Sequence, residues 1–252
     1  MIFRVIVLLL LLWPTIGWSQ IDIESRRQDG STGLTCKIDL DLTARSGNVD
    51  LFEFGAGISL SFSQGRNTLI LVASGDIGWE GGERFSNEAL GHFRYVRFML
   101  KRVQLESFLQ SNYDLARSLD FRALGGLGLR FLLMQQDQSR AWLGVSFLLE
   151  HERNEVLAGY LHAEDTSDSR GSAYLSFRLR ISETTDATGT FYYQPKLDDP
   201  DDFRVLIDYR LTVSVTRAVS LNTSVSLQHD SDPVDSVSES DFKLTTGLSI
   251  GW

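Results

Sequence analysis

Residues 241–252 read DFKLTTGLSIGW, with apolar side chains on every second position: Phe242, Leu244, Leu248 and Ile250, then Trp252. Lys243, Thr245, Gly247, Ser249 and Gly251 lie between them. A period of two belongs to a β-strand whose two faces meet different surroundings. An apolar face that ends on an aromatic ring is the pattern of the closing strand of a transmembrane barrel, with the ring at the membrane interface. Phe242 and Trp252 then mark the outer and inner rims, about eleven residues apart, enough for a tilted strand to cross a bilayer.

The same alternation runs upstream. Apolar rows occupy every second position of Leu34–Leu42, Phe52–Phe62, Leu69–Trp79, Ala89–Tyr95, Val103–Tyr113 and Phe121–Phe131. They continue through Ala141–Leu149, Ala173–Ile181, Ala187–Tyr193, Phe203–Val213 and Val219–Leu227, the Ala187 row being the weakest. With the closing stretch this predicts an all-β fold, an up-and-down antiparallel transmembrane β-barrel of about twelve strands. An even count puts both termini on one side, the periplasm in bacterial barrels. Gln64–Asn67, Met99–Arg102, Leu133–Arg140, Ser182–Asp186 and Val215–Ala218 are then short periplasmic turns. Arg153–Ser169 and Asp230–Asp241 are longer, acidic outer loops.

A soluble sandwich or lipocalin-like barrel also alternates, so the opposite face decides. It carries Lys37, Asp39, Asp41 and Glu53, with Asp76, Arg94, Glu106, Arg122, Arg130, Arg178, Arg180, Arg204, Asp208 and Arg210. Mixed charges among glycine and serine suit a hydrated lumen laced by ion pairs. Aromatic rings also gather at one end of the rows: Phe52, Trp79, Tyr113, Phe121, Tyr193, Phe203 and Phe242. That is a membrane girdle, which a soluble barrel has no reason to build.

The N-terminus fits export. Residues 1–19 have the layout of a cleaved signal peptide: Arg4, an apolar run from Val5 to Trp13, Pro14, then Gly17-Trp18-Ser19. Residues 20–31 form a polar, flexible lead-in, and residues 32–252 the barrel. The only cysteine, Cys36, excludes an internal disulfide. A net charge of −9 argues against a nucleic-acid partner. The expected location is the outer membrane of a Gram-negative cell.

Several short runs carry a family resemblance. Ser46-Gly47-Asn48-Val49-Asp50 leads into an alternating strand, Asn87 precedes a strand with Arg94-Tyr95, and Leu119-Asp120-Phe121-Arg122 opens the glycine-rich Ala123–Arg130. These runs resemble an uncharacterised outer-membrane barrel family that includes salt-induced outer-membrane proteins. The resemblance implies a Gram-negative outer-membrane barrel with a role in envelope stress. It implies no catalytic residue.

Candidate chemistry is sparse. A Ser-His hydrolase acting on lipid needs both groups on the lipid-facing surface. His92 points inward by register, His151 and His229 sit at strand ends, His162 lies in a loop, and no pair stands out. His162 with Glu164, Asp165 and Asp168 could hold a hard cation, but a solvated acidic loop explains them as well. No cofactor or metal is expected. The arginines of the sixth, eighth and tenth strands have two readings. They form a positive stripe that guides anionic solutes, or they pair with Glu106, Glu150, Asp76 and Asp208 and brace the barrel. The function expected is therefore a structural or channel-like barrel, not an enzyme, with a lipid-active enzyme and a partner-binding assembly barrel as alternatives. Expected partners are outer-membrane lipid, lipopolysaccharide reached through the acidic loops and bridging divalent ions, and the barrel assembly machinery, through the closing strand.

Overall fold

The computed structural model describes residues 32–45, 51–235 and 237–251. The expected signal peptide and lead-in, the Ser46–Asp50 run and Trp252 lie outside the described residues. Twelve strands follow one another: β1 (Gly33–Arg45), β2 (Leu51–Gln64), β3 (Asn67–Glu80), β4 (Glu83–Leu100), β5 (Val103–Asp114) and β6 (Leu119–Gln136). Then come β7 (Ser139–Asn154), β8 (Asp165–Arg180), β9 (Thr185–Pro195), β10 (Phe203–Ser214), β11 (Val219–Asp230) and β12 (Ser240–Gly251). Each pairs antiparallel with its neighbours, and β1 closes on β12 to complete the barrel. The seam is a short ladder, five pairs from Lys37↔Gly251 to Asp41↔Gly247.

The twelve rows and their inside-outside parity stand as the alternation predicts. Their ends do not. The supposed loop Leu133–Arg140 is mostly strand, because β6 runs to Gln136 and β7 starts at Ser139, leaving Asp137-Gln138 as the turn. Polar Gln135, Gln136 and Arg140 extend the hairpin in water beyond the membrane, where ladder hydrogen bonds suffice to hold it. The outer connections are also unequal. β7–β8 and β11–β12 are long, but β3–β4 turns on Gly81-Gly82, both at positive φ (57° and 88°), as a two-residue hairpin turn that matches strand twist requires.

Burial is inverted relative to a soluble protein. All twelve strands carry large apolar side chains exposed on the outer face, such as Leu127 (57% exposed) and Leu149 (60%). Arg94, Arg130 and Gln104, by contrast, are completely buried on the inner face. An apolar surface running round the whole barrel is far beyond the ~300–600 Å² patch of a typical soluble monomer, and lipid is its natural solvent. Phe52, Trp79, Tyr113, Phe121, Tyr193, Phe203 and Phe242 all sit at the outer strand ends. Phe52 and Trp79 touch across β2–β3 (6.0 Å between ring centroids), and Tyr193 and Phe203 across β9–β10 (5.7 Å). Arg84 lies over the Trp79 ring, and the Tyr113 hydroxyl donates to Asn87. These are the apolar bodies and polar tips that a headgroup layer favours.

Candidate functional site

The lumen is built by glycine on one strand making room for the ring directly opposite on the next. A Cβ at Gly126 would run into the Phe108 ring, and one at Gly144 into the Tyr174 ring. Phe108 packs with Leu124 and Leu148, and Tyr174 with Tyr192 and Leu206, the two tyrosine rings 5.0 Å apart. The space these inward glycines open is therefore filled by side chains. The wall formed by β11, β12 and β1–β3 carries small polar groups instead, including Ser61, Ser74, Ser224, Ser226 and Thr245.

Buried charges tie the packed side together. Glu150 on β7 accepts from Arg170 Nε of β8 at 3.2 Å and from Arg204 Nη1 of β10 at 2.5 Å, with Arg122 Nε of β6 at 3.7 Å. Glu152 meets Arg122 at 2.5 Å and Arg204 at 2.8 Å. Arg204 also donates to Asp230 of β11 (2.8 Å), and Arg170 grips Asp202 through both terminal nitrogens (2.8 and 3.2 Å). Three guanidiniums thus meet four carboxylates contributed by β7, β11 and the β9–β10 loop. Charges this deep are tolerated only when paired and hydrogen-bonded.

A second chain of contacts lies nearer the end of the barrel at which β12 finishes. Arg94 donates to Glu106 at 3.2 Å and to His92 at 3.3 Å, and His92 Nδ1 meets Gln110 at 3.1 Å. The Tyr174 hydroxyl reaches from β8 to Glu106 on β5, and Arg130 bonds Ser176 while lying 4.3 Å from the Trp142 ring centre. The other wall has its own braces. Lys243 on β12 lies 3.0–3.5 Å from Glu88, Asp76 and Glu53, and Arg210 donates to Asp39 at 3.0 Å. Ser249 of β12 donates to the same Asp39, tying the seam. At the outer mouth a 3-10 turn, Leu115–Arg117, sends Arg117 to Asp241 across a cavity of about 210 Å³ that Glu53, Glu88, Asp114 and Lys243 also line.

The predicted inward charges all face the lumen or its inner rim. They do not form one stripe. Arg122 and Arg204 belong to the Glu150 cluster. Arg178 stands in register with Arg140 and Thr188 near the β8–β9 turn, where Arg180 is part-exposed and 2.9 Å from Asp186. Asp208 lies opposite Thr190 and Ser226, and Asp76 takes Lys243 rather than an arginine. Sequence reading missed Arg170, Glu152, Asp230 and Tyr174. The first three lie at outer strand ends beyond the apolar rows, but parity alone would have found them. The loop carboxylates are dispersed: Asp165 meets Arg153, Asp168 meets Lys196, and His162 turns to a backbone carbonyl. Among the described residues they form no cation site. Donation of a hydrogen bond to Asp168 holds the Lys196 ammonium above its ordinary pKa. The backbone N–H groups of His162 and Leu161 hold Asp235 below its ordinary value, linking the β7–β8 and β11–β12 loops.

One constellation lies outside the barrel. His151 on β7 faces Ser167 on β8, with Nδ1 3.0 Å from Oγ, and His151 Nε2 is 3.9 Å from Asp165. Arg153, the next outward residue of β7, donates to Asp165 at 3.3 Å. No such pair was expected from sequence, where His151 was only a strand-end residue.

Residues 38–252 match the family model described as "Protein of unknown function, DUF481". No curated protein matches the chain. Among solved structures, the translocator domain of the autotransporter NalP from Neisseria meningitidis is similar with a TM-score of 0.51 and 12% identity over 91% of each chain. The NanC porin (TM-score 0.47, 8% identity, 86% of this chain and 97% of that one) and the KdgM porin (0.44, 10%, 86% and 98%) are also similar. At 12% identity the likeness to the NalP domain concerns the fold alone: a closed twelve-stranded antiparallel barrel of the outer-membrane kind.

Proposed function

We propose that this chain, which belongs to the DUF481 family of proteins of unknown function, is an integral outer-membrane barrel with a braced interior that bars free diffusion of solutes. The observation that carries this reading is the Glu150 cluster. Side chains from β6, β7, β8, β10 and β11 converge there with no solvent-exposed charge among Arg122, Glu150, Glu152, Arg170, Arg204 and Asp230. A porin constriction keeps its charges wet so that ions can exchange partners, whereas dry charges paired with one another hold walls in place. The small polar groups of the opposite wall allow water and very small ions at most.

The lipid-facing rows and aromatic rims support residence in the outer membrane after export by the signal peptide. We carry an envelope-stress role on the sequence resemblance alone. Assembly would use the closing strand: deletion of Trp252 should deplete the folded, heat-modifiable barrel, and normal amounts would remove the assembly part of the reading. The braced interior is tested by planar-bilayer recording of the purified protein. Steps far smaller than those of an open porin are expected, with larger steps in Arg204→Ala; frequent large steps in the unaltered protein would overturn it.

A further inference from the structure

The lipid-facing surface of β3–β7 carries a groove that ends on His151, beside a serine and a carboxylate of β8. Cross-strand pairing lines up Gly91, Ser111, Ala123, His151 and Ser167 side by side around the barrel. The first three are small, so this level is recessed between larger neighbours. The resulting groove of about 530 Å³ is walled by Leu109 and Leu149, floored by Gly91, Ala123 and Gly125, and reaches His151. Its volume lies within the ~300–1,000 Å³ typical of small-molecule sites. An open apolar slot on a lipid-facing wall will be filled by what surrounds it, an acyl chain.

The polar end sits at the depth of a lipid's ester groups. Phe121 of the outer aromatic rim pairs with Arg153, and His151 lies two residues deeper, roughly 7 Å along the strand. Aromatic rims mark the headgroup layer, and the ester linkages lie just beneath it. A lipid with one chain in the groove would therefore bring an ester carbonyl near Ser167 and its headgroup near Arg153. We infer that Ser167, His151 and Asp165 form an acyl-ester hydrolase site facing the outer leaflet, with a fatty-acyl ester of a membrane lipid as substrate.

The chemistry closes without any further reagent. With its proton on Nε2, directed at Asp165, His151 presents the Nδ1 lone pair to the Ser167 hydroxyl. Ser167 Oγ attacks the ester carbonyl carbon while its proton passes to Nδ1. The tetrahedral adduct collapses by breaking the bond to the alcohol oxygen, which takes that proton and leaves. Interfacial water then attacks the acyl-serine, passing its proton through His151 to Oγ, and the fatty acid departs. Asp165 is a positioning residue. At 3.9 Å it steadies the imidazolium as a charge rather than as a hydrogen-bond acceptor, and Arg153 anchors it from the far side. Arg153 also offers a cation two residues above the level of the reacting carbonyl.

This proposal rests on the membrane placement of the barrel but not on its braced interior, so the outcome of the conductance recording leaves it standing. The test uses the purified full-length barrel in mixed micelles with three probes: a short-chain fluorophosphonate, a diacyl phospholipid and a lipid A-type acylated glycolipid. The unaltered protein should be labelled at Ser167 and should release fatty acid from at least one of the two lipids, which identifies the source of the ester. Ser167→Ala should abolish labelling, and His151→Ala should slow both labelling and release by about 100-fold or more. Asp165→Asn should lower kcat with little change in KM. Ala123→Leu, which fills the groove, should raise KM for long chains by a larger factor than it slows labelling by the short probe. Heat-modifiable gel mobility verifies that each variant is folded. Labelling that persists in folded Ser167→Ala, or no labelling and no release by the unaltered protein, would overturn the proposal.

Discussion

Arg204 is the cation on which the buried cluster depends most, so Arg204→Ala is the sharpest perturbation of the interior. Its guanidinium lies 2.5 Å from Glu150, 2.8 Å from Glu152 and 2.8 Å from Asp230. Removal leaves those three carboxylates facing Arg122 and Arg170, and Arg170 is already shared with Asp202. Deleting one partner of a buried pair costs about 3–5 kcal/mol, because the group left behind keeps its desolvation penalty. Three groups are left here, which argues for the upper end, and water entering the widened lumen relaxes the figure downwards. We expect a loss of about 3–5 kcal/mol, a shift of at least 100-fold in the folded-to-unfolded ratio. Arg204→Lys keeps the charge but loses the planar fork, and should cost about 1.5–3 kcal/mol, the value of a charged hydrogen bond. In a Glu150→Ala background the Arg204→Ala loss should shrink by about 0.5–3 kcal/mol, since the two groups interact directly. Urea unfolding in lipid vesicles, followed by tryptophan fluorescence and by gel mobility, measures all three. A loss below about 1 kcal/mol for Arg204→Ala, or strict additivity with Glu150→Ala, would refute the bracing role.

Leu127 projects into lipid between Phe121 and Phe131, so Leu127→Arg should destabilise the barrel by about 2–4 kcal/mol in vesicles; a neutral effect would mean that this face is wet. Gly144→Val forces a side chain into the Tyr174 ring and should cost about 1–3 kcal/mol by overpacking, visible in the same unfolding assay. The link between the β7–β8 and β11–β12 loops should depend on pH. Asp235 has a depressed pKa, so its contribution is fully present above the ordinary value of 3.8 and is lost as pH falls through the lower folded value. Amide exchange at Leu161 and His162 should accelerate in acid only, and equally in Asp235→Asn at neutral pH; acid-independent exchange would contradict the link.

The architecture was legible because a barrel in lipid repeats one simple rule along its whole length. Leu127 and Leu149 must face hydrocarbon, so their neighbours Gly126 and Glu150 must face inward, and period two alone assigns both. Strand ends were less legible, as Gln135 and Gln136 show, because outside the membrane the ladder continues without any apolar requirement. The glycines misled for a different reason. Gly126 and Gly144 signal close approach, but only the assembled barrel reveals that Phe108 and Tyr174 do the approaching.

Pairing across the lumen was illegible in principle. Parity shows that Arg204 and Glu150 point inward, but which charges meet depends on how the barrel's stagger aligns strands three places apart. The external pair failed on register. His151 and Ser167 flank the ten-residue connection 155–164, and a loop of that length does not fix which residues of β7 and β8 stand opposite. A slip of one residue would separate them to opposite faces.

Collision-accessibility measurements with spin labels on single cysteines, in a Cys36→Ser background and in vesicles, test the central claim most directly. Labels at positions 109, 127 and 149 should be relaxed by oxygen and shielded from a water-soluble nickel chelate, whereas labels at 224 and 226 should be shielded from oxygen. Nickel access at 109, 127 and 149, with oxygen access at 224 and 226, would contradict a barrel with lipid outside and a braced polar interior.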